Sequence, residues 1–125
     1  IYTALNISVL FVTHDPQIAL QVAETIIVME KGQILERGSN KGIYRRPAFE
    51  RTAELTGICN WIKPELKEVS RKAVSVEDKF LIRPEWITID KDDAAAGLKA
   101  KVRRIEFAGP VSYIHLYLEE FDCHM

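Results

Sequence analysis

Residues 8–16, Ser-Val-Leu-Phe-Val-Thr-His-Asp-Pro, constrain the fold more than any other stretch of this chain. The run from Ser8 to Phe11 is small, branched or aromatic, which predicts a short buried strand over residues 8–13. Thr13 and His14 then fall at the C-terminal end of that strand, where open α/β sheets place their ligand chemistry. Asp15-Pro16 reads as a helix start, with a carboxylate at the N-cap and proline at the first helical position. His14 is thereby held between two rigid elements and becomes a candidate functional residue. Spacing alone favours the plainer reading, a buried and hydrogen-bonded histidine at a strand end.

The local signals continue in order. Residues 1–5 suit the last turn of a helix. Over residues 16–24, Ile18, Ala19, Val22 and Ala23 recur at helical spacing and predict a short amphipathic helix. Residues 25–30 are apolar and β-branched, and too few for a helix, so a strand is expected. Lys31-Gly32 makes a tight turn and residues 33–37 return as a second strand, completing a hairpin. Ser39 is positioned to cap a short helix through Tyr44, Pro47 ends it, and residues 48–55 form another.

The composition changes after Gly57. Residues 60–70 show little periodicity, although Trp61 and Ile62 suit burial. From Arg71 the pattern is β throughout, with short strands expected at 73–76, 79–83 and 86–90 and a solvent loop at 92–97. Leu98, Ala100 and Val102 alternate with Lys99, Lys101 and Arg103, the pattern of a half-buried strand. The phase slips near Arg104-Ile105, as at a β-bulge. Gly109-Pro110 is a turn. Beyond it Ile114, Leu116 and Leu118 face one way, and Tyr113, His115 and Tyr117 the other. A βαββα half followed by about five short strands predicts two units, 1–57 and 58–125. The second suits a small Greek-key barrel of OB type, and about 65 residues is marginal for one alone, so the barrel is expected to be incomplete.

Composition excludes several classes. A net charge of -1 gives no pull toward nucleic acid or acidic lipid, and 47% hydrophobic with 28% charged residues describes an ordinary globular chain. No apolar run approaches the roughly 20 residues that cross a bilayer. Cys59 and Cys123 lack zinc-site spacing and are expected as free thiols. Asp92-Asp93 reads as a solvated pair, so no metal site is expected. His115 suits a strand rim and His124 the terminus.

Val9-Leu10-Phe11-Val12-Thr13-His14-Asp15, followed by Ala19-Leu20, Ala23-Glu24 and Ile27-Val28-Met29-Glu30-Lys31-Gly32-Gln33-Ile34, resembles the end of an ABC-transporter ATPase domain from its switch histidine onward. Gly38-Ser39 and Ile43-Tyr44-Arg45-Arg46-Pro47-Ala48 extend the likeness to importer ATPase subunits with a C-terminal regulatory domain. These serve sulfate, molybdate, iron, spermidine and maltose-type systems. Thr56-Gly57-Ile58-Cys59-Asn60 and Ile82-Arg83-Pro84-Glu85 resemble the opening of that regulatory part, the transport-associated OB (TOBE) domain. The resemblance implies an α/β partial ATPase domain at 1–57 followed by an all-β, OB-like TOBE domain at 58–125, truncated at both ends.

It also implies roles. His14 would bind the terminal phosphate of ATP and orient the attacking water across an ATP-sandwiched dimer, a task suited to a side chain that titrates near neutral pH. The chain has no G-x-x-x-x-G-K-[ST] loop, no strand ending in paired acids and no LSGGQ-like signature. ATP and magnesium are therefore expected of the parent protein, and neither hydrolysis nor a cofactor of this chain alone. The implied partners are a second copy, membrane permease subunits and, indirectly, a periplasmic or extracellular solute-binding protein. The implied location is cytoplasmic, on the inner face of the membrane. The family often has an acid where Ile18 stands, on a helix facing the permease. Arg83 and Glu85 flank a proline corner and suit a charge-assisted tie between strands. With Lys101 and Ser112 they are the candidates for oxyanion binding, as in molybdate- and sulfate-type relatives. The alternative function is a stand-alone oxyanion sensor. Single-stranded nucleic-acid binding through Lys99, Lys101, Arg103, Tyr113 and Tyr117 is disfavoured by the charge balance.

Overall fold

The computed structural model describes residues 7–67, 72–90 and 97–125, with the side chains of Lys67 and Cys123 excepted. The helical turn expected at 1–5, and the loop at 92–97 apart from Gly97, lie outside them. The chain divides into two compact units, Ile1–Gly57 and Ile58–Met125.

In the first unit, helix α1 (Pro16–Val22) begins as the sequence dictates. The Asp15 carboxylate accepts from the Gln17 amide at 2.8 Å and the Ile18 amide at 3.3 Å, satisfying two of the orphan donors of the first turn. Strands β1 (Thr25–Glu30) and β2 (Gln33–Ser39) form an antiparallel hairpin with a register shift at Val28/Met29. Lys31 and Gly32 both have positive φ, 50° and 78°, the requirement of the type I′ turn that matches strand twist. Ser39 then caps α2 (Asn40–Arg45) through the Gly42 amide at 3.1 Å, and α3 (Glu50–Thr56) follows. Ile26 and Val28, two apart on β1, share a face and pack on Ile43 of α2, with Ala19, Leu20, Ala23, Leu35 and Leu55 around them. Arg51 of α3 reaches Glu30 at the end of β1, 2.6 Å away.

The strand expected at residues 8–13 does not form. These residues carry no strand pairing, and Leu10 and Val12 are each 87% exposed. A run that is apolar at consecutive positions is built for a strand covered on both faces and paired at its edges. No described strand of this unit pairs with it, so the α/β character of this half reduces to short helices packed on one hairpin.

The second unit is mostly sheet. Strand β3 (Asn60–Ile62) is followed by a single helical turn, α4 (Pro64–Lys67), then β4 (Val74–Val76) and β5 (Lys79–Ile82). These pair antiparallel in the order β3-β5-β4. Strands β6 (Lys101–Ala108), β7 (Val111–Leu118) and β8 (Cys123–His124) make a second antiparallel sheet in that order. Gly109, φ 75°, and Pro110 join β6 to β7; proline forbids a positive φ at the second position, which leaves the type II′ turn. Ile62, Leu66, Ile82 and Leu118 form the core, and Phe80, Trp86, Leu98 and Phe121 are among the side chains packed against it.

Two expectations need correction here, and the incomplete barrel is met only in part: the described strands of this unit form two three-stranded sheets and no closed barrel. Residues 84–86 form a 3₁₀ turn where a strand at 86–90 was expected, because Pro84 supplies the fixed φ of a helical first position. Strand β6 begins at Lys101 and is not half-buried: every one of its side chains is exposed. The phase slip is real and lies between Val102 and Arg104. On β7, Leu116 and Leu118 are buried, whereas Ile114 is not.

Candidate functional site

His14 sits at the junction that the sequence specifies. The Thr13 hydroxyl accepts from the Asp15 amide at 3.0 Å, and Asp15 in turn caps α1. These two local bonds fix the backbone on the C-terminal side of His14. The imidazole itself is exposed, which excludes the buried structural histidine that spacing favoured. An exposed imidazole ahead of a helix N-terminus can meet a phosphate oxygen as donor, but one side chain does not make a nucleotide site. The cradle of backbone amides and lysine that triphosphate binding needs has no counterpart in the sequence.

Arg83 is the one buried charged side chain among the described residues of the second unit. It follows β5 directly and is fully buried. Its guanidinium Nη1 donates to the Ile58 carbonyl at 3.0 Å and lies 3.2 Å from the Cys59 Sγ. Strand β3 pairs Asn60 with Ile82, so these contacts continue the β3–β5 ladder one step past its last backbone pair. Arg83 thus ties the end of β5 to the start of the unit through a carbonyl and a thiol. Glu85 is exposed on the 3₁₀ turn.

Lys101 and Ser112 are not brought together. Lys101 stands opposite Tyr117, and Ser112 lies five positions further along β7, roughly 17 Å at the usual strand rise. The Lys101 ammonium is paired with Glu119. The shallow depression beside it is lined by Gly97, Lys99, Ala100, Lys101, Glu119 and Glu120, two cations against two carboxylates. That balance gives an anion no electrostatic advantage.

The sheet carries two polar groupings that the sequence reading missed. Arg104 Nη2 is 2.6 Å from Glu106 Oε2, and His115 Nε2 stands 3.4 Å from each of those atoms. Tyr117 donates to Asp122 at 2.9 Å, stacks near His124 with centroids 4.9 Å apart and carries the Arg103 guanidinium over its ring. The Asp122 carboxylate, by hydrogen bond and then by charge, holds the Tyr117 phenol above the ordinary tyrosine range. The i, i+2 spacing of Arg104 and Glu106 signals a shared face, but only the register with β7 brings His115 beside them. Among the described residues no group of three or more His, Cys, Asp or Glu side chains is arranged to hold a metal. None of the described helices is long and apolar enough to cross a membrane.

Comparison with known proteins identifies the second unit first: residues 80–121 match the TOBE domain family. The matched segment runs from the middle of β5 through β6 and β7. The chain as a whole is a TOBE-bearing relative of the ATP-binding subunits of ABC importers. It is 31% identical over 115 residues to the ABC transporter ATP-binding protein y4fO of Sinorhizobium fredii, covering 92% of this chain and 33% of that protein. It is 31% identical over 121 residues to the sulfate/thiosulfate import ATP-binding protein CysA of Gloeobacter violaceus, covering 95% of this chain and 34% of the relative. Identity to the Fe(3+) ions import ATP-binding protein FbpC 2 of Pectobacterium atrosepticum is 29% over 130 residues, covering 94% and 38%. The chain thus spans about a third of the length of the curated relatives it matches, and the likeness runs through both of its units.

Proposed function

We propose that this chain is the switch-histidine segment and regulatory portion of an ABC importer's ATP-binding subunit, within which residues 1–57 belong to the ATPase domain and 58–125 to the TOBE domain. One observation carries this reading. A single continuous similarity to import ATP-binding proteins takes in both the His14 junction and the TOBE segment. In this reading the exposed imidazole of His14, on backbone held by Thr13 and Asp15, meets the terminal phosphate of ATP held by the rest of the subunit and by its dimer mate. ATP with magnesium supplies the transferable phosphoryl group in such a subunit; this chain contributes one positioned side chain. The uncovered run at 9–12 fits a strand that completes its sheet with residues of the whole subunit. Partners in this reading are a second copy, permease subunits and, through them, a solute-binding protein. The working location is the cytoplasmic face of the membrane.

The relatives named above serve sulfate or thiosulfate in one case and ferric iron in another, so the cargo is left open between an oxyanion and a cation. Of the proposed contacts for a regulatory anion, Arg83, Glu85, Lys101 and Ser112, the first is buried and the last two stand roughly 17 Å apart, which favours energy coupling over a stand-alone sensor. Titration calorimetry of the chain against sulfate, molybdate, tungstate and ATP tests the choice. The energy-coupling reading expects no heat from ATP and no ATP hydrolysis by the chain alone. Saturable heat from one oxyanion would replace it with the sensor.

A further inference from the structure

We propose that Thr13 is a positioning residue for His14: its hydroxyl closes a ring on the Asp15 amide and so sets the direction in which the imidazole leaves the chain. The proposal rests on the reading of His14 given above and adds the side chain that aims it. Pro16 creates the need for such a residue. It opens α1 without an N–H, so the Asp15 carboxylate caps the next two amides, Gln17 at 2.8 Å and Ile18 at 3.3 Å. Proline also keeps the residue before it out of the helical region, and Asp15 sits at φ -95°, ψ 108°. The amide of Asp15 itself finds its acceptor on the other side, in the Thr13 hydroxyl 3.0 Å away. A threonine oxygen that accepts from the amide two residues on mimics a backbone turn. His14 is the central residue of that turn, and the chain bends there. A ring of this size leaves its central side chain on the outside: His14 is exposed, whereas Thr13 and Asp15 are half-buried.

The two sides of His14 are held differently. On the helix side Asp15 is fixed by its cap and by Pro16. On the other side residues 8–13 carry no strand pairing, so the Thr13 hydroxyl is the bond that carries the direction of the incoming chain across His14 to α1. Losing it frees the torsions on either side of the Thr13–His14 peptide, and the imidazole swings relative to the helix. Threonine suits the task because its β-branch stiffens χ1 and holds the oxygen over the ring. A reacting group displaced by about 1 Å can lose on the order of a hundredfold in rate. One neutral hydrogen bond among several restraints is worth less, roughly five- to tenfold.

The test has two arms, each run on the native sequence, Thr13→Val and Thr13→Ser. Valine keeps the shape and branching of threonine and removes the acceptor, whereas serine keeps the acceptor and removes the methyl group. In the full chain, NMR should show Asp15 amide exchange faster by roughly five- to tenfold in Thr13→Val, with the His14 Hα–Hβ couplings averaged and both restored in Thr13→Ser. The second arm is ATP turnover by a chimera in which this chain replaces the corresponding third of the sulfate/thiosulfate import ATP-binding protein of Gloeobacter violaceus. Thr13→Val should lower kcat by roughly five- to tenfold and leave KM for ATP within about twofold, because the phosphate cradle lies in the host part. Thr13→Ser should recover the rate. In a His14→Ala background Thr13→Val should change turnover by less than about twofold, since its effect runs through the imidazole. Asp15 exchange and His14 couplings that ignore Thr13→Val overturn the proposal, as does the same loss of turnover with and without the imidazole, which would mark a merely structural role. Turnover that falls in His14→Ala and not in Thr13→Val overturns this proposal alone. Turnover untouched by His14→Ala overturns it together with the reading on which it rests.

Discussion

Replacing Arg83 tests the second unit where its structure is most specific. The guanidinium is fully buried after β5 and binds the Ile58 carbonyl at 3.0 Å and the Cys59 thiol at 3.2 Å. A hydrogen bond from a charged donor is worth about 1.5–3 kcal/mol, and the thiol contact and the packed aliphatic stem add to it. Arg83→Ala should therefore destabilise the unit by about 3 kcal/mol. A unit spanning Ile58–Met125 commands only about 3–10 kcal/mol in total, so the loss is a large fraction of its stability. Both tryptophans of the chain, Trp61 and Trp86, lie in this unit, and their fluorescence follows its unfolding selectively. With a urea slope of about 1 kcal/mol/M the midpoint should fall by roughly 3 M. Arg83→Met restores the stem without a donor and should recover less than half of the loss. Methionine as stable as arginine would refute the reasoning, because it would mean that the cost of burying the guanidinium cancels its bonds. Ile43→Ala, in the core of the other unit, should leave the tryptophan transition in place.

Three smaller predictions follow from local geometry. Asp15→Ala removes the acceptor for the Gln17 and Ile18 amides and should cost about 1 kcal/mol, seen as faster hydrogen exchange at those two amides, with Asp15→Asn retaining most of the protection. Gly32→Ala forces a Cβ into a left-handed conformation at φ 78° and should destabilise the first unit by about 1–2 kcal/mol in thermal unfolding. Tyr117 should ionise above the ordinary tyrosine range while Asp122→Asn returns it toward that range, read by carbon-labelled tyrosine NMR. The sign is fixed: a folded-state pKa raised over the unfolded one adds stability below the unfolded value, and that stability is lost as pH rises through the folded value.

What the sequence reveals is what neighbours along the chain decide. Asp15-Pro16, Lys31-Gly32, Ser39 and Gly109-Pro110 each act within four residues, and each does in the structure what its chemistry implies. Apart from the 3₁₀ turn that Pro84 starts, a local signal, the failures are non-local. Residues 8–13 read as a strand because of their side chains, yet a strand needs a paired edge, and no described strand of the unit supplies one. The alternation through β6 identifies its two faces correctly, but which of them is covered depends on what packs above it. Strand β3 and helix α4, three and four residues long, are too short to carry a period. At the candidate site, Arg83 announces a charge-assisted tie by its place beside Pro84. The partners at Ile58 and Cys59 are about 25 residues away in the chain and follow only from the β3–β5 pairing. Lys101 and Ser112 fail as a pair for the converse reason, since β6–β7 register sets them far apart.

The most direct measurement is ATP hydrolysis by a chimera. This chain would replace the corresponding third of the sulfate/thiosulfate import ATP-binding protein of Gloeobacter violaceus, with and without His14→Ala. The expected result is an active chimera whose turnover falls about a hundredfold or more in His14→Ala, the scale at which a positioned proton-transfer residue acts. An active chimera that hydrolyses ATP equally well without the imidazole would contradict the role of His14, and a folded chimera with no activity at all would contradict the assignment of this chain to an importer's ATP-binding subunit.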